Sequence, residues 1–320
     1  LVPGARAKSQ NSCYFYRERP MSNTNALIKA VAENGEAVVY ALDATELIQE
    51  SMVRLNAWPP ATKHLGQGMM AALLLQALSD AEEKDSLSLQ WMCEGPFGHC
   101  YAEAKNYGES RGTILHPRPN VQDYETTLGE GVLQVRRSRA GFATTSVVAS
   151  VGDVSADIVE YLEKSEQKNC GLNLSVVIDW NEEGAVVPFK VRSALAYLVH
   201  ILPQPTEQKL NDALVRWNRQ MLDLGSISRW SLREDQLTLD MLRLITGEEE
   251  PKVVMNQSVR FRCNCNEDRA ARALALLETQ EESEGLVLIP ETEIRCEFCG
   301  RTYTVASEKA QEFKPKGRKS

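Results

Sequence analysis

Two short cysteine motifs constrain this chain more than anything else in it: RCNCN at 262–266 and CEFCG at 296–300. The first is a C-x-C pair, Cys263 and Cys265; the second is a C-x-x-C pair, Cys296 and Cys299. A cysteine pair separated by one or two residues can present both sulfurs to one metal ion, because a tight turn brings the side chains to the same side. Two such pairs complete a tetrahedron. Zinc held by four thiolates at about 2.3 Å is a closed structural site with no open position for a substrate. Gly300, directly after the second pair, suits the tight turn of a zinc knuckle. The metal ligands expected are therefore Cys263, Cys265, Cys296 and Cys299, with one zinc per chain in the reduced state.

The module carrying them, about 258–320, is short and rich in charge, at a length where a hydrophobic core is marginal. Structural zinc contributes roughly 10 to 16 kcal/mol in small peptides, comparable with the whole stability of a domain. Removing the metal should unfold the module. Two uses of such a site stay open at this point. It can be a permanent staple, or it can be a switch, since zinc-bound thiolates are already deprotonated and meet an oxidant as nucleophiles. The C-x-C pair leans toward the switch: a disulfide in so small a loop is strained and readily reduced.

The rest of the chain is ordinary for a globular protein. With 320 residues and 43% hydrophobic content it can bury a sizeable core and fill two or three domains. The longest apolar run, 69–75, is far short of the roughly 20 residues a bilayer-spanning helix needs, so no membrane partner is expected. The net charge of −8 lacks the positive field that recruits phosphate backbones, so no nucleic-acid partner is expected either, the basic tail KPKGRKS being the one local exception. Eight cysteines are too sparse for a secreted disulfide scaffold. A reducing, cytoplasmic location fits best. Residues 1–21 carry four basic groups to one acidic ahead of Met21 and read as extraneous to the fold: a cloning remnant, an alternative upstream start, or the remains of an organellar transit peptide, which would put the chain in a matrix or stroma.

Along the chain, ATELIQESMVRLNA reads as a helix ended by Trp58-Pro59-Pro60, and 63–78 as a second helix, apolar nearly all round and so buried on several sides. Short strands follow in LSLQWMCEG, GHCYAEAK, GVLQVRRSR, FATTSVVAS and LNLSVVID, interrupted by a helix in DVSADIVEYLEKSEQ with Asp153 or Ser155 as its N-cap. Mixing without strict βαβ alternation gives an α+β domain with a mostly antiparallel sheet, placed at 22–204. Residues 205–257 then read as a helical linker, with Leu210, Leu214, Trp217 and Met221 on one segment and Leu237, Met241, Leu244 and Ile245 on the next. Gly247 caps the second segment and 248–251 reads as a solvated hinge. The linker has too few apolar residues for a core of its own and must lean on a neighbour. In the cysteine module a helix is expected after Asn266, with strands in GLVLI and TYTV.

The sequence FRCNCNEDRAARAL followed by IRCEFCGRTYTV, with GEGVLQVRR and GDVSADIVEYLEKSEQ upstream, resembles the redox-regulated holdase chaperones, the thirty-three-kilodalton heat-shock protein family, over about 36–305. The resemblance implies an N-terminal α+β substrate-binding domain, a metastable helical linker and a C-terminal zinc domain at 258–320. It implies an ATP-independent chaperone rather than an enzyme, inactive when reduced and zinc-bound. Oxidation then pairs Cys263 with Cys265 and Cys296 with Cys299, releases zinc, unfolds the C-terminal and linker regions, and lets unfolding clients bind. It also implies a homodimer when active and handover of clients to ATP-dependent foldase chaperones.

Two other classes remain as alternatives. A thiol-disulfide oxidoreductase could use CEFC, but the strand, C-x-x-C, helix context of a thioredoxin-like site is missing. A zinc-ribbon adaptor would keep its metal throughout. Cys13, Cys93, Cys100 and Cys170 are scattered and read as inert small hydrophobes. His64, His99, His116 and His200 have no ligand set at suitable spacing, Glu166 reads as a helix end, and the glycines of GQGMM and GEGVL lack nucleotide-binding spacing.

Overall fold

The computed structural model describes residues 25–79, 84–105, 108–121, 123–181, 187–227, 230, 236–283 and 291–313, the side chains of 277–283 excepted. The segment 1–21, Cys13, the strand expected in GLVLI and the basic tail lie outside the described residues.

Two sheets face each other across a layer of helices. The first is five-stranded and antiparallel, in the order β10-β1-β2-β9-β8: β1 (Ala26–Val31), β2 (Ala37–Asp43), β8 (Asn169–Trp180), β9 (Phe189–Ile201) and β10 (Lys252–Ser258). Strand β2 is buried along its whole length. Val38, Tyr40 and Leu42 enter one core while Ala37, Val39 and Ala41 enter another, so the sheet is covered on both faces. An unbroken apolar run such as AVVYAL is what a strand covered on both faces requires.

The second sheet is six-stranded, in the order β11-β5-β4-β3-β6-β7: β3 (Ser86–Cys93), β4 (Cys100–Lys105), β5 (Glu109–Ile114), β6 (Gly131–Arg139), β7 (Phe142–Ser150) and β11 (Arg260–Phe261). Every pair is antiparallel except β11 on β5, which is parallel. Between the sheets lie α1 (Thr45–Leu55), α2 (Pro59–Leu78) and α3 (Val154–Lys164). Helix α2 touches β3, β4 and β5 on one side and β8 and β9 on the other. Its run from Met69 to Leu75 is fully buried, which explains an apolar surface on every side. No described helix is long and apolar enough to cross a membrane.

The prolines at 59 and 60 do not end α1; they begin α2, occupying the first helical turn where a missing N–H costs nothing. Helix α1 ends on its own at Asn56, in the left-handed region at φ 52°. Asp153, rather than Ser155, caps α3 by accepting from the Ala156 N–H at 2.9 Å.

The outer face of the five-stranded sheet is covered by α4 (Glu207–Leu224) and α5 (Leu237–Thr246). Thr206 caps α4 through Lys209 N at 3.3 Å, and Gly247 closes α5 at φ +73°. Ala213, Trp217, Met241, Leu242 and Ile245 pack on Ile28, Ala30, Val39, Ala41, Tyr197 and Val199. Among the described residues, these helices have no core apart from the sheet. The stretch read as helical linker also contains a strand that sequence reasoning missed: β10 pairs with β1, from Ala26 against Ser258 to Val31 against Lys252.

The C-terminal unit comprises α6 (Glu267–Ser283), β12 (Glu291–Arg295), β13 (Thr302–Ala306) and α7 (Ser307–Gln311), with β12 and β13 forming a two-stranded sheet. Among the described residues, its buried apolar cluster is Ala270, Ala271, Leu274, Ala275, Val305 and Ala310. Four of those six are alanines, which bury little apolar area each.

Candidate metal centre

Strand β11 brings the first cysteine pair to the edge of the six-stranded sheet. Arg260 donates to Glu109 at 2.7 Å, and the Arg262 N–H donates to the Ser110 carbonyl at 3.1 Å, so the backbone is fixed one residue before Cys263. The second pair sits in the turn between β12 and β13. There the Gly300 N–H donates to the Cys296 carbonyl at 2.9 Å and the Cys296 N–H to the Arg301 carbonyl at 2.8 Å. Gly300 has φ +69°, the left-handed conformation that closes this knuckle.

All four expected ligands converge. The sulfurs of Cys263, Cys265, Cys296 and Cys299 lie within 4.8 Å of one another, and all four are free thiols. Close approaches run between the pairs, 3.7 Å from Cys263 to Cys296 and 3.3 Å from Cys265 to Cys299. Four sulfurs each about 2.3 Å from a central zinc would stand about 3.8 Å apart, so the cluster has the scale of a closed tetrathiolate site. Soft sulfur donors with no carboxylate among them suit zinc and exclude magnesium or calcium.

The thiols are electrostatically unequal. Burial raises Cys296 and Cys299. Burial also opposes ionisation of Cys265, yet hydrogen bonds from the Tyr303 hydroxyl and the neighbouring thiols bring it down to about 7. The Tyr303 hydroxyl lies 3.2 Å from Cys265 Sγ and 3.1 Å from its carbonyl oxygen. Crowded sulfurs resist sharing negative charge, and a divalent cation among them removes that conflict.

The N-terminal body supplies part of the surroundings. Arg111 on β5 donates to Cys263 Sγ at 3.4 Å and lies over the Phe298 ring at 4.0 Å. Tyr101 on β4 meets the same ring edge-on at 5.8 Å. A cleft of about 270 Å³ reaches Cys296 between Leu55, His99, Leu115 and Arg295. His99, given no role from sequence, thus stands on the approach to the centre. Arg111, Phe298 and Tyr303 were not singled out either. Phe298 and Tyr303 lie inside or beside the cysteine motifs, whereas nothing local marks Arg111, which only the fold brings to Cys263.

The remaining described cysteines stay apart. Burial pushes Cys100 and Cys170 up to about 12 and also raises Cys93, which leaves them as unreactive thiols.

Comparison with known proteins gives the same picture over most of the chain. A family model described as Hsp33 protein matches residues 25–306. A 33 kDa chaperonin of Bacillus licheniformis is 27% identical over 302 residues, covering 90% of this chain and 98% of the relative. One of Desulforamulus reducens is 28% identical over 287 residues, covering 87% and 92%. The crystal structure of the 33 kDa chaperonin of Thermotoga maritima superposes with a TM-score of 0.75 at 21% identity, over 90% of this chain and 97% of that one. The matched region takes in both sheets, the helices on their outer face and all four clustered cysteines, and on that extent the chain belongs to the Hsp33 family.

Proposed function

We propose that this chain is an ATP-independent holdase whose client binding is switched on by oxidation of the four-cysteine centre. The observation that carries the reading is the convergence of four free thiols in a unit whose buried apolar cluster, among the described residues, is mostly alanine. Such a unit depends on its cross-link for order.

In the reduced state Cys263, Cys265, Cys296 and Cys299 would hold zinc as thiolates. Zinc so bound supplies a closed cross-link between the two cysteine motifs and no open coordination position. Following the family resemblance, Cys263 joins Cys265 and Cys296 joins Cys299. Each disulfide takes two electrons from a thiol pair and, with peroxide as oxidant, yields two waters; no thiolate ligand is left. The C-terminal unit then loses its cross-link. The helices α4 and α5 are the next to loosen, since they have no core apart from the sheet they cover, and their apolar face with Trp217 and Met241 becomes available to clients.

Clients are unfolded or partly unfolded proteins, recognised by exposed apolar surface. The active form is a homodimer that hands clients to ATP-dependent foldases, and the compartment is the cytoplasm. The test is light scattering from a thermally unfolding client. Protein oxidised by peroxide at elevated temperature suppresses scattering and reduced zinc-loaded protein does not; equal inertness of both would overturn the reading.

A further inference from the structure

Arg111 occupies an unusual position for a sheet residue. Its guanidinium is largely buried, with 15% of the side chain exposed, and it has three partners of different chemistry. Nη1 donates to Cys263 Sγ at 3.4 Å. Nε donates to Glu103 Oε1 at 2.6 Å. The guanidinium carbon lies 4.0 Å from the centre of the Phe298 ring. Phe298 stands between Cys296 and Cys299 in sequence, so one residue of the N-terminal sheet touches both cysteine motifs.

The rest of the sheet holds Arg111 in that pose. Glu103 is buried and also accepts from Tyr101 at 3.0 Å and Lys105 at 3.0 Å, and Tyr101 itself meets the Phe298 ring edge-on. A guanidinium oriented by a buried carboxylate presents its remaining donors in a fixed fork. Four thiolates around a divalent zinc carry a net charge of −2, and a partly desolvated anion of that kind is stabilised by a cation at hydrogen-bond distance. A hydrogen bond to a thiolate also withdraws electron density from sulfur, which weakens it as a nucleophile toward peroxide and holds it in place as a ligand.

We infer that Arg111 is a positioning and charge-balancing residue for the four-cysteine centre, one that slows both metal loss and thiol oxidation and so sets how much oxidant the centre withstands. The inference rests on the tetrathiolate reading above and adds a residue outside the cysteine motifs to it.

The experiment follows zinc release from the full-length, zinc-loaded protein with a chromogenic chelator, and loss of free thiols with a thiol reagent, during exposure to peroxide. Neither readout involves client binding. In Arg111→Met, which keeps length and removes charge, both rates are expected to rise about tenfold, the lower end of what loss of an outer-sphere ligand partner costs. Arg111→Lys keeps the charge without the fork and should fall between. Because Arg111→Met leaves the buried Glu103 carboxylate with only Tyr101 and Lys105 as partners and could unsettle the sheet, Glu103→Gln/Arg111→Met is run beside it and should show the same acceleration. Native rates in Arg111→Met, no recovery in Arg111→Lys, or native rates in the double variant would each overturn the inference. A native protein that takes up no zinc would instead overturn the tetrathiolate reading itself.

Discussion

The carbonyl oxygen of Arg54, at the end of α1, lies only 2.5 Å from the point where a side chain on Gly300 would begin. The knuckle of the second cysteine pair is therefore seated on the N-terminal body through a contact that only glycine allows. Gly300→Ala would meet both that oxygen and the strain of φ +69°, at a cost of roughly 1–3 kcal/mol. Amide exchange across β12 and β13 should accelerate while exchange in β2 and β9 stays as it is. Unchanged protection at 291–306 would show that the knuckle is not seated there.

Stripping the metal should melt the C-terminal unit first, with α4 and α5 loosening after it. Far-UV circular dichroism is expected to lose the signal of α6 and α7, and limited proteolysis to cut within 262–313 while the two large sheets survive. Cys299→Ser should reproduce the effect in the presence of zinc. A single unfolding transition common to the whole chain would argue against a separately held unit.

Trp217 anchors α4 to the five-stranded sheet and is 5% exposed. Among the described residues its indole N–H has no partner, so its contribution is packing. Trp217→Ala should cost about 3–5 kcal/mol and detach α4 and α5 without oxidation. The reduced, zinc-loaded variant is then expected to suppress client aggregation in part. If α4 loosens by amide exchange while the reduced variant stays inert, linker release is not the activating step.

His64 gives the body of the protein a pH dependence. Its ring is buried against Phe97, with Nε2 2.7 Å from the Thr126 carbonyl, and burial lowers its pKa below the ordinary 6.5; Lys63 lowers it further, opposed by Thr126, Asp153 and Glu125. The unfolded chain takes up this proton first, so the stability due to neutral His64 is complete above pH 6.5 and is lost as pH falls below it. The slope is at most about 1.4 kcal/mol per pH unit. Urea midpoints on either side of pH 6.5 should differ for the native chain, and the difference should shrink in His64→Gln.

The sequence was most legible where its signals were local. The cysteine spacing marked all four thiols that converge, and the apolar surface of 69–75 marked a helix enclosed on several sides. The periodicity around Trp217 and Met241 likewise marked two helices that lean on a neighbour. What stayed hidden depends on partners distant in sequence. Strand β11 is two residues long and exists only because β5 accepts it. Strand β10 follows an acidic run and a proline, so a short apolar stretch there carries little weight until β1 is seen beside it. The prolines at 59 and 60 were misread because a helix breaker inside a helix is a helix starter in its first turn. Arg111 lay in a strand that was itself unrecognised.

The pairing of β1 with β10 also bears on how the chain emerges from the ribosome. Strand β1 ends at Val31 and its outer partner begins at Lys252. At roughly 5–20 residues per second, synthesis of the intervening stretch takes on the order of tens of seconds. Throughout that interval β1 can pair with β2 but presents an open edge on its other side, the feature most prone to wrong intermolecular pairing. A chain of this design is itself in need of shielding until its last long strand is made, and premature termination before residue 252 would leave a nascent product that seeds the kind of aggregate the finished protein is proposed to prevent.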